Sequence, residues 1–387
     1  DGRAMPCFGM EDWRARAEAL VAVGARLLGV AIRPGRSPCP GLARLLLGDR
    51  DEAPPLRAVG SVSFPLGGLA VSEVTTSGTS GSGVLHTVMR VGGFGALVNA
   101  GHAHADLLSL VVRVNDQVLL GDPGSGSYTG DRRVRETFRA TRLHNTVTID
   151  DLSQADPVDV FKWVNLPTVR RHVWASNSAV DWMAASHDGY ARLREAVWHR
   201  RDVLIVRPEY LLVVDRFFGQ GNHRFVRHFV TPPSVRVSIE RADRAELVAA
   251  GDVGLTLVAL PSLPACLTDV RTTPVPWSAG YGRWVPSVAV EVRCDAPAPL
   301  TLVTWLAPRA PGWPAVQLGD AAIRSTPVPG TTVWELPLTV GAIGRTDELV
   351  LRPAPVSADP LAAGALQWRR GAVAGSAGVS LQDGVLA

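Results

Sequence analysis

Apolar residues recur at helical spacing near the start of the chain: Trp13, Ala17, Leu20, Val21, Ala25 and Leu28 form one band through residues 11–28. Gly24 weakens that band locally. Pro34, Gly35, Pro38, Pro40 and Gly41 end it before a short apolar segment at 42–47. The pattern predicts helical material over residues 1–55, packed against a larger body. From about Val59 the period changes, and short apolar runs alternate with Gly, Asn, Asp and Pro, as antiparallel strands and their turns require. Residues 107–114, the pair Asn115-Asp116 and residues 117–120 read as a hairpin. Further strands are expected at 146–149, 203–206, 210–214, 224–230, 255–260, 288–292 and 300–306. So many strands predict a mainly β protein, a large antiparallel multi-sheet sandwich rather than a nucleotide-binding α/β unit. The run TTSGTSGSG at 75–83 reads as a turn-rich loop, and 372–387 as a final strand or two. The expected division is a helical segment at 1–55, a β-sandwich core at 56–330 and further strands completing the β region at 331–387.

Composition narrows the class. Of 387 residues, 46% are hydrophobic and 19% charged, the balance of a globular protein with a sizeable core. The net charge of +3, from 39 basic and 36 acidic residues, does not suit a protein built to coat nucleic acid. No segment has the length and unbroken apolarity of a membrane-spanning helix, and Asp1–Arg3 is not a signal-peptide start. Cys7, Cys39, Cys266 and Cys294 are scattered, without CxxC pairs. Free or partly buried thiols are favoured over disulfides, which would need an oxidising compartment. No GxxxxGK[ST] phosphate loop is present.

The most unusual local sequence is NAGHAHAD at 99–106. If the chain is extended there, His102 and His104 point to the same side. Asp122 follows the return strand of the hairpin in LLGDPG, and His144 lies in RLHNTVTI just before another strand. Two readings stand on equal footing: a zinc site with N, O and N ligands, or a buried hydrogen-bond network in which Asp122 caps the Asp-Pro-Gly turn. His199, His223 and His228 sit among alternating apolar residues and are expected in core hydrogen bonds.

Several phrases in order resemble the heparinase II/III and related alginate-lyase superfamily of polysaccharide lyases: GHAHADLLSL at 101–110, LLGDPGSGSY at 119–128, FRATRLHNTVTIDD at 138–151 and DRFFGQGNHRFVRHF at 215–229. In that family an α/α toroid precedes antiparallel β-sheets, with the substrate cleft between them. The resemblance implies the C-terminal portion of such an enzyme, residues 1–55 being the end of the toroid. It implies a structural Zn2+ on His104, Asp122 and His144, and a cleft-facing catalytic His102 that helps neutralise a uronate carboxylate. The family's principal tyrosine belongs to the toroid, and the first tyrosine here is Tyr128. Tyr128 is therefore a candidate only for sugar contact or proton transfer, with structural packing the equal alternative.

The implied chemistry is β-elimination on a uronic-acid-containing polysaccharide, in which charge developing next to the carboxylate is stabilised while a base takes the C5 proton. Arg139 and Arg142, from the basic run 132–142, and Asn99 are candidate substrate contacts. The expected partners are an acidic polysaccharide or oligosaccharide and the missing toroid, in the same polypeptide or as a second chain. The expected location is periplasmic or secreted. The alternative is a non-catalytic carbohydrate-binding or assembly module with a structural zinc.

Overall fold

A computed structural model of the chain describes residues 60–386 except 79–80, 96–98, 263–264, 281, 314–315, 320–323, 329–330, 341–344, 352–365, 371–378 and 383–384. The helical segment expected at 1–55 lies outside the described residues, as do Cys7 and Cys39.

The centre of the molecule is an eight-stranded antiparallel sheet in the order β14-β15-β16-β19-β12-β11-β10-β9. Its strands are β9 (Val169–Ser176), β10 (Val180–Tyr190), β11 (Val197–Val206), β12 (Tyr210–Gly219), β14 (Arg236–Arg241), β15 (Arg244–Val248), β16 (Gly254–Ala259) and β19 (Leu300–Arg309). The apolar runs VLIV and YLLVV have no polar alternation because both faces of this sheet are covered. Val203, Ile205, Leu211 and Val213 enter one core cluster. Leu204, Val206, Leu212 and Val214 enter another on the opposite face, where Leu349 and Trp368 join them.

The first face is covered by a five-stranded meander of β1 (Val62–Phe64), β2 (Leu69–Gly78), β3 (Gly81–Arg90), β4 (Leu110–Val114) and β5 (Gln117–Leu120). Beside it lies a four-stranded sheet, β17-β18-β13-β6, made of β6 (Val147–Ile149), β13 (Asn222–Val230), β17 (Asp269–Gly280) and β18 (Arg283–Pro297). Phe225, Val147 and Ile149 of that sheet pack against Phe217, Leu300 and Leu302 of the central one. The second face meets a six-stranded sheet, β20–β25, running from Arg324 to Leu386. Tyr210 fastens it, donating from its hydroxyl to Asp347 Oδ2 at 2.6 Å and accepting from Trp368 Nε1 at 3.2 Å. A short ribbon, β7 (Asp156–Asp159) with β8 (Lys162–Val164), completes the strands. Among the described residues one α-helix occurs, α1 (Arg132–Phe138), with two short 3-10 turns.

The chain is thus predominantly β, with several antiparallel sheets, as the periodicity predicts. The expected hairpin forms with Asn115 at φ 52°, the left-handed turn conformation asparagine tolerates. The TTSGTSGSG segment extends the paired strands β2 and β3, which hydrogen-bond up to Gly78 and Gly81, instead of forming a long loop. The expectation of free thiols is corrected for two cysteines: Cys266 and Cys294 form a disulfide. A pairing across 28 residues of sequence has no local signature.

Candidate functional site

The segments carrying the candidate residues converge where the meander, the four-stranded sheet and α1 meet. The loop from Asn99 to Ser109 enters β4; the loop from Gly121 to Gly130 leaves β5. Asn145 ties these together. Its Nδ2 donates to Leu110 O at 2.6 Å and Gly121 O at 2.9 Å, and its Oδ1 accepts from Val230 N at 2.5 Å. Gln154 holds Leu107 by both its N–H, at 2.9 Å, and its carbonyl, at 3.0 Å. Arg201, wholly buried on β11, spans Asp215 Oδ1 and Oδ2 at 2.7 and 3.1 Å and also donates to Leu108 O and Asn145 O at 2.9 and 2.6 Å. The central sheet therefore fixes the backbone of the loop behind His104. That backbone is strained: Ala100 and Leu108 adopt φ 48° and 61°, conformations that cost non-glycine residues roughly 1–3 kcal/mol and need surrounding structure to hold them.

The HxH segment is not extended. Gly101 and His102 form a turn, so the two rings part company, His102 exposed and His104 half-buried. This corrects the expectation that they share one side. Gly101 allows the turn to lie against the next loop, since a Cβ there would stand 2.8 Å from Phe161 O. His102 is stacked on Tyr128, ring centroids 5.5 Å apart and planes 25° from parallel, with the Tyr128 hydroxyl hydrogen-bonded to His102 Nδ1. Phe161 stands 5.2 Å from Tyr128 and 6.1 Å from His102. Beneath them the guanidinium of buried Arg135 lies 4.4 Å from the Tyr128 ring centre and 4.8 Å from that of Phe161. Arg135 also donates to Val160 O at 2.8 Å and Gly101 O at 3.0 Å. A cation under the two rings and two anchored carbonyls make this a fixed platform on which the exposed imidazole rests.

The zinc assignment is overturned. Among the described residues no group of three or more His, Cys, Asp or Glu side chains is arranged to hold a metal ion. His104, Asp122 and His144 do approach one another, but as a hydrogen-bond network. His144 Nδ1 meets Asp122 Oδ2 at 2.7 Å, and Asp122 Oδ1 accepts from Gly124 N at 2.9 Å, the turn-capping role of the polar-network reading. His104 stands with its ring centroid 5.2 Å from that of His144 and its Nε2 3.5 Å from Ser125 Oγ. Burial opposes charge on all three. It holds His104 down at about 3, helped by neighbouring His144. For His144 the Asp122 carboxylate outweighs burial and raises the pKa, while His144 in turn outweighs burial at Asp122 and lowers it. Asp122 and His144 thus favour each other's charged form, beside a His104 that burial holds neutral.

The basic run divides by helical geometry. Asp131 caps α1, accepting from Arg133 N at 2.8 Å and Val134 N at 3.2 Å, and the spacing of four turns Arg135 and Arg139 inward while Arg132 and Arg133 stay exposed. Arg139 is fully enclosed. It donates to Val160 O at 3.0 Å and Asp159 O at 2.6 Å and lies 4.6 Å over Trp163. Burial and then neighbouring Arg135 lower its pKa to about 10. Arg142 is exposed at the end of the 3-10 turn, and Asn99 is exposed at the mouth of the HxH loop.

Arg135, Phe161, Asn145, Gln154 and Arg201 were not singled out from the sequence. Arg135 had a signal, its i, i+4 relation to Arg139 after a capping Asp131. Phe161 and Arg201 had none, since their partners lie far along the chain. The other buried histidines behave as expected: His199 meets Asp215 at 2.8 Å, His223 meets Asp150 at 2.7 Å and His228 meets Thr148 at 2.9 Å.

The fold has counterparts among known proteins. A crystal structure of heparan sulfate lyase HepC from Pedobacter heparinus superposes with a TM-score of 0.62 at 18% identity, covering 92% of this chain and 50% of that one. A heparinase III gene product gives a TM-score of 0.63 at 17% identity, covering 87% and 48%. In sequence, the heparin-sulfate lyase of Pedobacter heparinus is 24% identical over 131 residues, which is 33% of this chain and 18% of that protein. The chain thus spans about half the length of the solved structures it matches. The family described as heparinase II/III-like, C-terminal, matches residues 57–306, the stretch that builds the five-, eight- and four-stranded sheets and every candidate residue above, and the chain belongs to that family.

Proposed function

We propose that this chain is the C-terminal part of a polysaccharide lyase that cleaves a uronic-acid-containing polysaccharide by β-elimination. The observation that carries the reading is the exposed His102, stacked on and hydrogen-bonded to Tyr128 over the Arg135 guanidinium. An imidazole so held reaches outward at a fixed angle, as a group meeting a uronate carboxylate must. In the reaction the C5–H bond breaks to a base, a double bond forms between C4 and C5, and the C4–O4 bond breaks as O4 takes a proton. His102 donates to the carboxylate and stabilises the charge that develops there. Tyr128, whose hydroxyl shares the His102 hydrogen bond, contacts the sugar or passes a proton. Exposed Arg142 and Asn99 serve as further contacts. Arg139, enclosed, serves instead by holding the 159–160 carbonyls beneath the platform.

The remaining acid–base group comes from a helical toroid, in the same polypeptide or in a second chain, with residues 1–55 at its end, the β core at 56–330 and its completion at 331–387. A periplasmic or secreted location suits the Cys266–Cys294 disulfide. The test is to incubate the complete natural polypeptide with uronate polymers and follow the ultraviolet absorbance of the new unsaturated uronyl end. His102→Ala lowers kcat/KM by about a hundredfold or more, with the circular dichroism spectrum unchanged. Saturable binding without product, in the complete protein, would instead make this a carbohydrate-binding module.

A further inference from the structure

The hairpin of β17 and β18 is fastened to the loop that carries Tyr128. Gly282 N donates to Gly126 O and Ser278 N to Pro123 O, both at 2.9 Å. The Trp277 ring sits against Gly121, where a Cβ would stand 2.7 Å from it. At the tip of this hairpin Trp284 is 46% exposed, with Val285 and Arg283 beside it. These residues line an open groove of about 540 Å³. No carboxylate among the described residues pairs with Arg283. Trp284 and Tyr128 are each two residues from the Gly282–Gly126 hydrogen bond, so no more than roughly 7 Å of extended chain separates either from it.

An exposed indole offers a flat apolar face to the C–H surface of a pyranose, and a guanidinium with no carboxylate partner among the described residues offers a fork to a carboxylate or sulfate. Together they suit one sugar unit that is apolar on one side and anionic at its edge. We propose that Trp284 and Arg283 form an accessory subsite for an acidic sugar unit of the same polysaccharide chain whose reacting unit lies at His102 and Tyr128. This rests on the lyase reading above.

The test uses the complete polypeptide and its Trp284→Ala, Trp284→Phe and Arg283→Gln variants, with a heparan-type polymer and an alginate polymer as probes. Binding is measured calorimetrically on the His102→Ala background, so that it is read without turnover. On that background Trp284→Ala and Arg283→Gln each weaken polymer binding about tenfold, and Trp284→Phe recovers most of the loss. With His102 restored, Trp284→Ala raises KM for polymer about tenfold with little change in kcat, and the effect shrinks on a short oligosaccharide. Weakened binding in a protein that forms no unsaturated product keeps the subsite and removes the lyase reading. Normal polymer binding by Trp284→Ala overturns the subsite, and a lowered melting temperature with binding intact reassigns the tip to packing against another part of the protein.

Discussion

Arg201 donates to both oxygens of Asp215 and to the carbonyls of Leu108 and Asn145, so one side chain holds the loop behind His104 and the residue after His144. Removing it leaves Asp215 charged and buried with His199 as its remaining close donor. Arg201→Met therefore costs about 3–5 kcal/mol in urea unfolding, and the double variant Arg201→Met/Asp215→Leu recovers part of that loss. A double variant no more stable than Arg201→Met would show that the pair is not the source of the cost. His172 governs a pH effect. Burial, and after it the nearby Arg200, lower its pKa from 6.5 to about 4, while its Nε2 meets Ser186 Oγ at 2.7 Å. The unfolded chain takes up this proton near pH 6.5 and the folded protein only near 4, so stability is full above 6.5 and falls as pH drops towards 4. After allowance for solvent around this half-buried ring, the loss is about 1 kcal/mol. Buried His187 and His199 are lowered too and add to the same slope, so the measurement is the difference in urea midpoint between wild type and His172→Asn at pH 7 and pH 4.5. Parallel curves would exclude His172 as a contributor. Glu291 acts in a separate window: lowered to about 2 despite burial by its bonds to His228 and Arg293, it contributes stability that is lost as pH falls from 4.5 towards 2.

At the scale of elements, strands were legible where apolar runs are long or a turn residue is diagnostic, as at Asn115 between β4 and β5. The loops that bear the site were less so. Helical placement of Arg135 and Arg139 hid within a basic run read for substrate contacts, and the turn at Gly101 separated two histidines that an extended chain would align. The loop of Tyr128 depends on Gly126, which adopts φ +61° and where a Cβ would stand 2.3 Å from the Phe138 ring of α1. Gly126→Ala is expected to cost about 1–3 kcal/mol and to shift Tyr128 off His102. Its kcat/KM on a uronate polymer then falls by more than a stability loss explains at a temperature where the variant stays folded. Gly93→Ala is the control, since nothing lies within 4 Å of a Cβ there. Equal activity in both variants would show that the loop's conformation is not critical to the platform.

At the scale of the whole molecule, the central sheet is sandwiched, and the Cys266–Cys294 disulfide ties the segment leading into β17 to β18, whose Cys294 lies in the core. Closing a loop of this size removes freedom from the unfolded chain worth about 3.5 kcal/mol. Cys266→Ser/Cys294→Ser should lower the unfolding free energy by about that amount, and reductant should destabilise wild type but not this variant; identical melting with and without reductant would argue against the bond. Periodicity, turn residues and the ordered histidine phrases were enough to establish an antiparallel β protein of this family and to name His102, His104, Asp122 and His144, because each signal is contained in a few neighbouring residues. They could not decide what those side chains do, since that depends on partners far along the chain. Asp122 is committed to His144 and Gly124, His102 rests on Tyr128 across 26 positions, and Arg139 is closed in beneath Trp163. Only packing brings those groups together, and in this protein it makes a hydrogen-bond network where the spacing also allowed a metal, and an exposed histidine platform beside it.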